Sequence, residues 1–293
     1  MTDAHTLADR IVFRHDGTDL ATYVFDPDVP AFESPKPYLH PLRTLAGDVV
    51  TGYRPHDHRW HKGIQLAVAN LNGANLWGGH TYVDGRGYLE LPERNGTMRH
   101  LGFDAVTGDG LVERLAWHTY DGAEWVTERR ELGVSVGADA WTLTFQSELR
   151  NVSGTVLRFG SPGTEGLVGS GYGGMFWRGP RSFIGGTVLA GGGLGGDGTD
   201  GDTVRGEYAQ WLAFRGRHDE VDRTSTLVFA TLGRESVPWF VRTEPTPQVS
   251  PAPFFHDVVP LAPGATLRLA YRVVVADGTW DRDRIETALA GAR

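Results

Sequence analysis

Between Arg54 and Gly63 the chain reads RPHDHRWHKG, and His56, Asp57, His58 and His61 fall within six residues. Imidazole titrates near neutrality, so such a cluster can supply a general base and a general acid, with Asp57 available to fix a tautomer. If the stretch runs as a strand, alternate residues share a face, so His56 and His58 point the same way and a turn brings His61 beside them. The same three nitrogens could hold a divalent metal. Lone histidines more often pack than react, but three in six residues shift the balance toward chemistry.

Two further stretches carry candidate side chains. In KPYLHPLRT, residues 36–44, Tyr38, His40 and Arg43 sit among prolines that force an extended path, and a guanidinium fork suits a carboxylate or vicinal hydroxyls. In GTEGLVGSGYGGMFWRGP, residues 163–180, glycines join Glu165, Tyr172, Trp177 and Arg178. Aromatic faces beside polar groups are suited to stacking on a sugar ring, and glycine lets backbone approach a ligand. The glycines there have no following lysine and no strand-to-helix context, so they do not make a nucleotide loop. Trp77 and His80 follow the histidine stretch by one strand and a turn, which could place them in the same pocket. His100, Glu128 and His256 are isolated candidates, each more often structural than catalytic.

The elements that must position these residues are strands. RIVFRHDGTDLATYVF reads as two alternating segments around an Asp-Gly turn, and EWVTERRELGVSVGADAWTLTFQSELRNV repeats the pattern. STLVFATL, WFVRTE and TLRLAYRVVVADG each fit one strand. Helical periodicity is confined to the C-terminal DRDRIETALAGAR, which Asp281 or Asp283 could cap. The glycine-dense stretch 185–206 predicts a long flexible loop. No repeat of propeller or solenoid length is present. The expectation is an all-β, antiparallel two-sheet β-sandwich with a short C-terminal helix, as a single domain over 1–293.

Bulk properties exclude several classes. The 36 acidic and 28 basic residues of the 293 give a net charge of −8, and no basic run could follow a phosphate backbone. Nucleic acid is therefore not an expected partner. The chain has no cysteine, which removes disulfides, thiolate catalysis and cysteine-bound zinc. Its apolar runs are strand-length, too short to span a membrane as helices, and MTDAHTLADRIVF lacks the features of a signal peptide. A cytoplasmic location is the default. The exposed edges of a sandwich leave room for a homodimer, which no stretch specifies.

Taken together, KPYLHPLRT, PHDHRWHKGIQLAVANLNGANLWGG and GYGGMFWRGP resemble the PmoA-like family of bacterial proteins, over about Lys36 to Gly278. The family is named after a membrane-bound methane oxygenase subunit, which the strand-length apolar runs of this chain do not fit. The resemblance implies a large galactose mutarotase-like supersandwich and an association with sugar oxidoreductases and sugar uptake. It places Tyr38, His40 and Arg43 in one site motif, His58, His61 and Lys62 in a second, and His100 at a further histidine position. Trp60 stands where many members have histidine, which weakens any fixed metal-ligand set.

The functional expectation is a carbohydrate-active enzyme acting on a sugar or glycoside, including keto-sugars, by elimination, hydrolysis or epimerisation. His58 and His61 would be base and acid, His100 a third imidazole, and Arg43 or Lys62 the donor to developing negative charge. Tyr172 and Trp177 would hold the ring. A divalent metal on some of the histidines is a variant of this expectation, and no other cofactor is implied. The alternatives are a sugar-binding accessory protein without turnover and an aldose 1-epimerase, which would draw its carboxylate from Glu165 or Glu128.

Overall fold

A computed structural model describes residues 1–195, 201–233 and 235–291. Among these residues the strands form two large antiparallel sheets. One runs Thr2–Thr6, Arg10–His15, Thr18–Val24, Tyr38–Leu42, Ile64–Ala67, Gly174–Arg178, Gln248–Pro251, Val237–Arg242 and Tyr208–Ala209 from edge to edge. The other runs Thr187–Ala190, Trp211–Arg217, Thr224–Thr231, Thr266–Asp277, Ala140–Asn151, Glu124–Val136, Gly110–His118 and Thr97–Val106. The protein is thus an all-β sandwich of two sheets, as its alternating sequence predicts.

Turn chemistry sets the registers. Asp16 and Gly17, with φ of 46° and 86°, close the two-residue hairpin between Arg10–His15 and Thr18–Val24. Positive φ at both central residues matches the right-handed twist of the flanking strands. The one α-helix among the described residues, Arg282–Gly291, begins where Asp281 Oδ1 accepts a hydrogen bond from the Arg284 backbone N–H at 2.9 Å.

Side-chain alternation divides each sheet into two faces. From the first sheet, Phe13, Tyr23, Leu39, Ile64, Trp177, Trp239 and Val249 point into the sandwich, where they meet Trp117, Trp141, Phe145, Phe229 and Val273 of the second. The outer face of the second sheet is closed by the C-terminal segment, with Ile285 and Trp280 packed over Ala213, Val228 and Val274. The outer face of the first sheet carries Gln65, Ala67, Phe176, Phe240, Arg242 and Gln248, one residue out of phase with the core. Loops cover that face.

The stretch 185–206 departs from the expected flexible loop. Thr187–Ala190 is a strand in register with Arg215 to Leu212, and Gly201 and Val204 are buried. The apolar TVLA can bury two faces, and its flanking glycines obscured that signal. Residues 196–200 of the expected loop lie outside the described residues.

The interior also holds a charged network. Arg130, wholly buried, donates to both carboxylate oxygens of Glu128 at 2.8 and 3.0 Å and to the Tyr23 hydroxyl at 3.1 Å. Trp117 and Ser147 also donate to Glu128, and Tyr23 donates to Glu113. His100 closes the chain through Nδ1, 2.6 Å from Glu113 Oε1.

Candidate functional site

RPHDHRWHKG is a loop, not a strand. It closes where Tyr53 bridges Lys62, and the Arg54 N–H donates to the His61 carbonyl at 2.9 Å. Two tight turns follow inside it, His58 N–H to Pro55 carbonyl and His61 N–H to His58 carbonyl, each 2.9 Å. The turns separate the histidines instead of aligning His56 with His58. His58 and His61 approach with ring centroids 4.9 Å apart, whereas His56 is exposed and its Nδ1 lies 3.1 Å from Arg181 Nη2.

A buried carboxylate holds this loop in place. Glu33 is 1% exposed and accepts from Arg54 at 3.0 and 2.5 Å and from Lys62 Nζ at 2.8 Å. Burial alone would raise the Glu33 carboxyl, but the hydrogen bonds from Arg54 and Lys62 leave it below its ordinary value. Lys62, expected as a catalytic cation, is therefore committed to Glu33 at 2% exposure and anchors the loop. Lys36 acts similarly on the next segment. Its buried ammonium donates to the carbonyls of Glu33, Ser34 and Trp77, at 3.2, 2.5 and 3.0 Å.

His58 and His61 open onto a cavity of about 390 Å³ over the outer face of the first sheet. That volume lies within the range of small-molecule sites, about 300 to 1,000 Å³. Its walls are aromatic: Trp60, Trp77, Tyr88, Tyr172 and Phe240. Trp77 packs on Tyr172 and Phe176 at centroid distances of 4.5 and 4.7 Å, and the Tyr88 and Tyr172 hydroxyls meet at 3.0 Å. His80, Ser170, Arg242 and Gln248 supply the remaining polar groups. Gly78 and Gly79 are required at the rim, because at φ of 100° and 70° their Cβ atoms would strike Trp60 at 2.7 and 2.5 Å.

The two histidines are chemically unequal. His61 is 2% exposed, and burial together with the neighbouring Arg178 guanidinium holds its pKa well below the ordinary histidine value. Arg178 Nη1 lies 3.3 Å from His61 Nδ1. A guanidinium can only donate, so Nδ1 must accept, and His61 carries its proton on Nε2. Burial also lowers His58, but less, because Asp57 Oδ2 at 3.4 Å opposes the shift. The arrangement is a fixed neutral N–H donor beside an imidazole free to accept a proton.

Of the residues the sequence singled out, the fold brings His58, His61, Trp77, His80 and Tyr172 to this cavity, with Arg178 directly behind His61. Trp177 falls on the opposite face from Phe176. It is fully buried in the sandwich and donates from Nε1 to the Val50 carbonyl, so it cannot hold a sugar. His100 sits in the second sheet against Phe25 and Phe103, paired with Glu113. Tyr38, His40 and Arg43 form a separate cluster: the Tyr38 hydroxyl donates to Tyr53, His40 stacks on Tyr53 and bonds Thr51, and Arg43 donates to the Gly47 carbonyl. Burial lowers His40 to about 4.

The carboxylates an anomer-interconverting site would need are placed elsewhere. Glu165 lines a different cavity of about 370 Å³, and Glu128 is locked in the core. His256 bonds the Gly206 carbonyl. Nor do His56, His58 and His61 fit a metal: arginines face Nδ1 of His56 and of His61, and among the described residues no group of three ligating side chains converges.

Sequence reasoning missed Arg242, Gln248, Phe240, Tyr88 and the anchoring Glu33. A signal was present in WFVRTE, where Arg242 shares the face of Phe240 and opposes Trp239 and Val241. Only the sheet order could place that face under the histidines.

A sandwich with a polar, aromatic-walled pocket on one outer face is the class that fold and site define. The chain belongs to a family of unknown function, DUF6807, matched over residues 10–290. No curated protein matches it. Similar solved structures include the alpha-galactosidase of Lactobacillus brevis, at 9% identity and a TM-score of 0.48, covering 98% of this chain and 42% of that one. The chain thus spans about two fifths of that enzyme's length. A candidate aldose 1-epimerase of Escherichia coli K12 is similar at 13% identity and a TM-score of 0.40, covering 96% of this chain and 99% of that one. An alpha-galactosidase of Geobacillus stearothermophilus in complex with raffinose, at 11% identity and a TM-score of 0.35, covers 95% and 40%.

Proposed function

We propose that the protein is an enzyme that moves a proton on a sugar or sugar-derived carbonyl compound, with His58 as base and His61 as the donor to the carbonyl oxygen. The observation that carries this reading is the unequal histidine pair in an aromatic-walled pocket. Proton abstraction beside a carbonyl places negative charge on its oxygen, and a neutral N–H fixed in advance stabilises that charge without reorganising. A base for the carbon must be unprotonated near neutral pH, which the lowered His58 satisfies. Returning the proton to the other face gives epimerisation, and expelling a neighbouring oxygen gives elimination. Trp60, Trp77 and Tyr172 offer apolar faces for the C–H side of a ring.

The test is to screen sugars and keto-sugars for turnover and then measure His58→Ala and His61→Ala. Each should lower turnover at least a hundredfold, in line with acid–base contributions of about 10²–10⁴, while sugar affinity stays within a few-fold. Turnover unchanged in both variants would end the reading. Sugar binding with no turnover in the wild type would make the protein a carbohydrate-recognition module.

A further inference from the structure

Three neighbouring strands place Arg178, Gln248 and Arg242 in one row across the outer face: Gln248 is the register partner of Arg178 on one side and of Arg242 on the other. Directly paired side chains in an antiparallel sheet have Cβ atoms about 4.5–5.5 Å apart, so the row is a compact polar strip. Arg178 gives Nη1 to His61 and stands behind it, outside the cavity lining, with its Nε likewise buried and unpartnered. Arg242 is different. It lines the cavity with its guanidinium carbon 5.5 Å from the centre of the Phe240 ring, its Nε is buried without a partner, and among the described residues no carboxylate pairs with it.

The surrounding charge sharpens the point. Among the described residues no aspartate or glutamate lines the cavity, in a chain whose net charge is −8. Asp57, the nearest acid on the histidine loop, faces His58 and Arg181. Arg205, which also lies over Phe240, is paired with Asp202. An unneutralised guanidinium in a partly buried pocket is costly unless a ligand brings the counter-charge, and its planar fork matches a carboxylate.

Building on the proton-transfer reading, we infer that the substrate is a sugar acid whose carboxylate docks on Arg242 and Gln248, presenting its reacting carbon to His58 and His61. The test is calorimetric titration of the untagged protein with D-gluconate, D-glucuronate, neutral D-glucose and, as a non-sugar acid, L-malate. Sugar acids should bind at least tenfold tighter than glucose, with the preference lost in Arg242→Gln and largely kept in Arg242→Lys. The preference in the wild type needs no variant to be read, and circular dichroism checks that both variants fold. Equal affinity for acids and glucose would overturn the carboxylate site while leaving the carbohydrate reading standing. Arg242-dependent binding of malate alone would keep the carboxylate site and remove the sugar. Binding of none of the four would overturn both.

Discussion

Arg178 and His61 are joined by one contact, Nη1 to Nδ1 at 3.3 Å, and it decides what His61 can do. Because the guanidinium occupies Nδ1, the imidazole presents N–H from Nε2 toward the cavity. Arg178 is 1% exposed and burial lowers it only to about 10, so it remains a cation at neutral pH. It positions His61 without touching substrate. Replacing it by methionine, close in length and uncharged, should release the tautomer. Nitrogen NMR of His61 should then change from a single Nε2–H form to a mixture, and kcat should fall at least tenfold with little change in KM. A His61 signal unaltered in Arg178→Met would remove the tautomer argument.

His58 sets the acid limb of the rate. Only its neutral form can accept a proton, and burial holds its pKa below the ordinary value of 6.5. Activity is therefore complete above that depressed pKa and declines as pH falls through it. A kcat/KM profile should show its acidic midpoint below 6.5, the ordinary value. Asp57 works against burial by favouring the imidazolium, so Asp57→Asn should move the midpoint further toward acid. A wild-type midpoint above the ordinary histidine value would exclude His58 as the base.

Stability should depend on pH through the same physics at His40 and His61. Both remain neutral in the fold at pH values where histidine in the unfolded chain, with a pKa of about 6.5, takes up a proton. Below that value the unfolded state binds more protons, so the fold weakens as pH falls, by up to about 1.4 kcal/mol per pH unit for each histidine. For His40 the loss runs down to its folded value of about 4. Urea unfolding at a neutral and a mildly acidic pH should show the decline. His40→Asn should make it shallower by on the order of 1 kcal/mol over one pH unit. An unchanged slope would mean that His40 already shares its folded pKa with the unfolded chain.

How much of this was legible depends on which periodicity a residue obeys. The strands were, because alternation and an Asp-Gly turn act locally: Asp16 and Gly17 need no distant partner to close a hairpin. The histidine loop stood out by its composition but its shape could not be read, since it is held by Glu33, a residue outside the stretch. Trp177 was misplaced by one position. In MFWR, Phe176 and Trp177 are equally apolar, and only the sheet order fixes which of them faces the sandwich. Lys62 was read as a free cation because its partner lies 29 positions earlier, at Glu33. Arg242 shared a face with Phe240 in WFVRTE, but that it and Gln248 reach the histidines could not be read, because their strands join the site strands only through long-range pairing.

The core network around Arg130 serves the fold rather than the reaction. Glu128 and Glu113 are buried at 2% and 0% exposure, and Arg130 is the cation that approaches Glu128 through two hydrogen bonds. Its guanidinium carbon also stands 5.2 Å from the centre of the Phe145 ring. Burying a carboxylate without its partner costs far more than the pair contributes. Arg130→Met should accordingly cost about 3–5 kcal/mol of stability, measured by urea or thermal unfolding. Replacing the ion pair as a unit, with Arg130→Met and Glu128→Gln together, should restore much of that loss, because the amide oxygen can still accept from Trp117 while its NH2 donates to the Ser147 hydroxyl, which can turn to accept. If the double variant were no more stable than Arg130→Met, the cost would lie in the shape of the arginine rather than in the charge it neutralises.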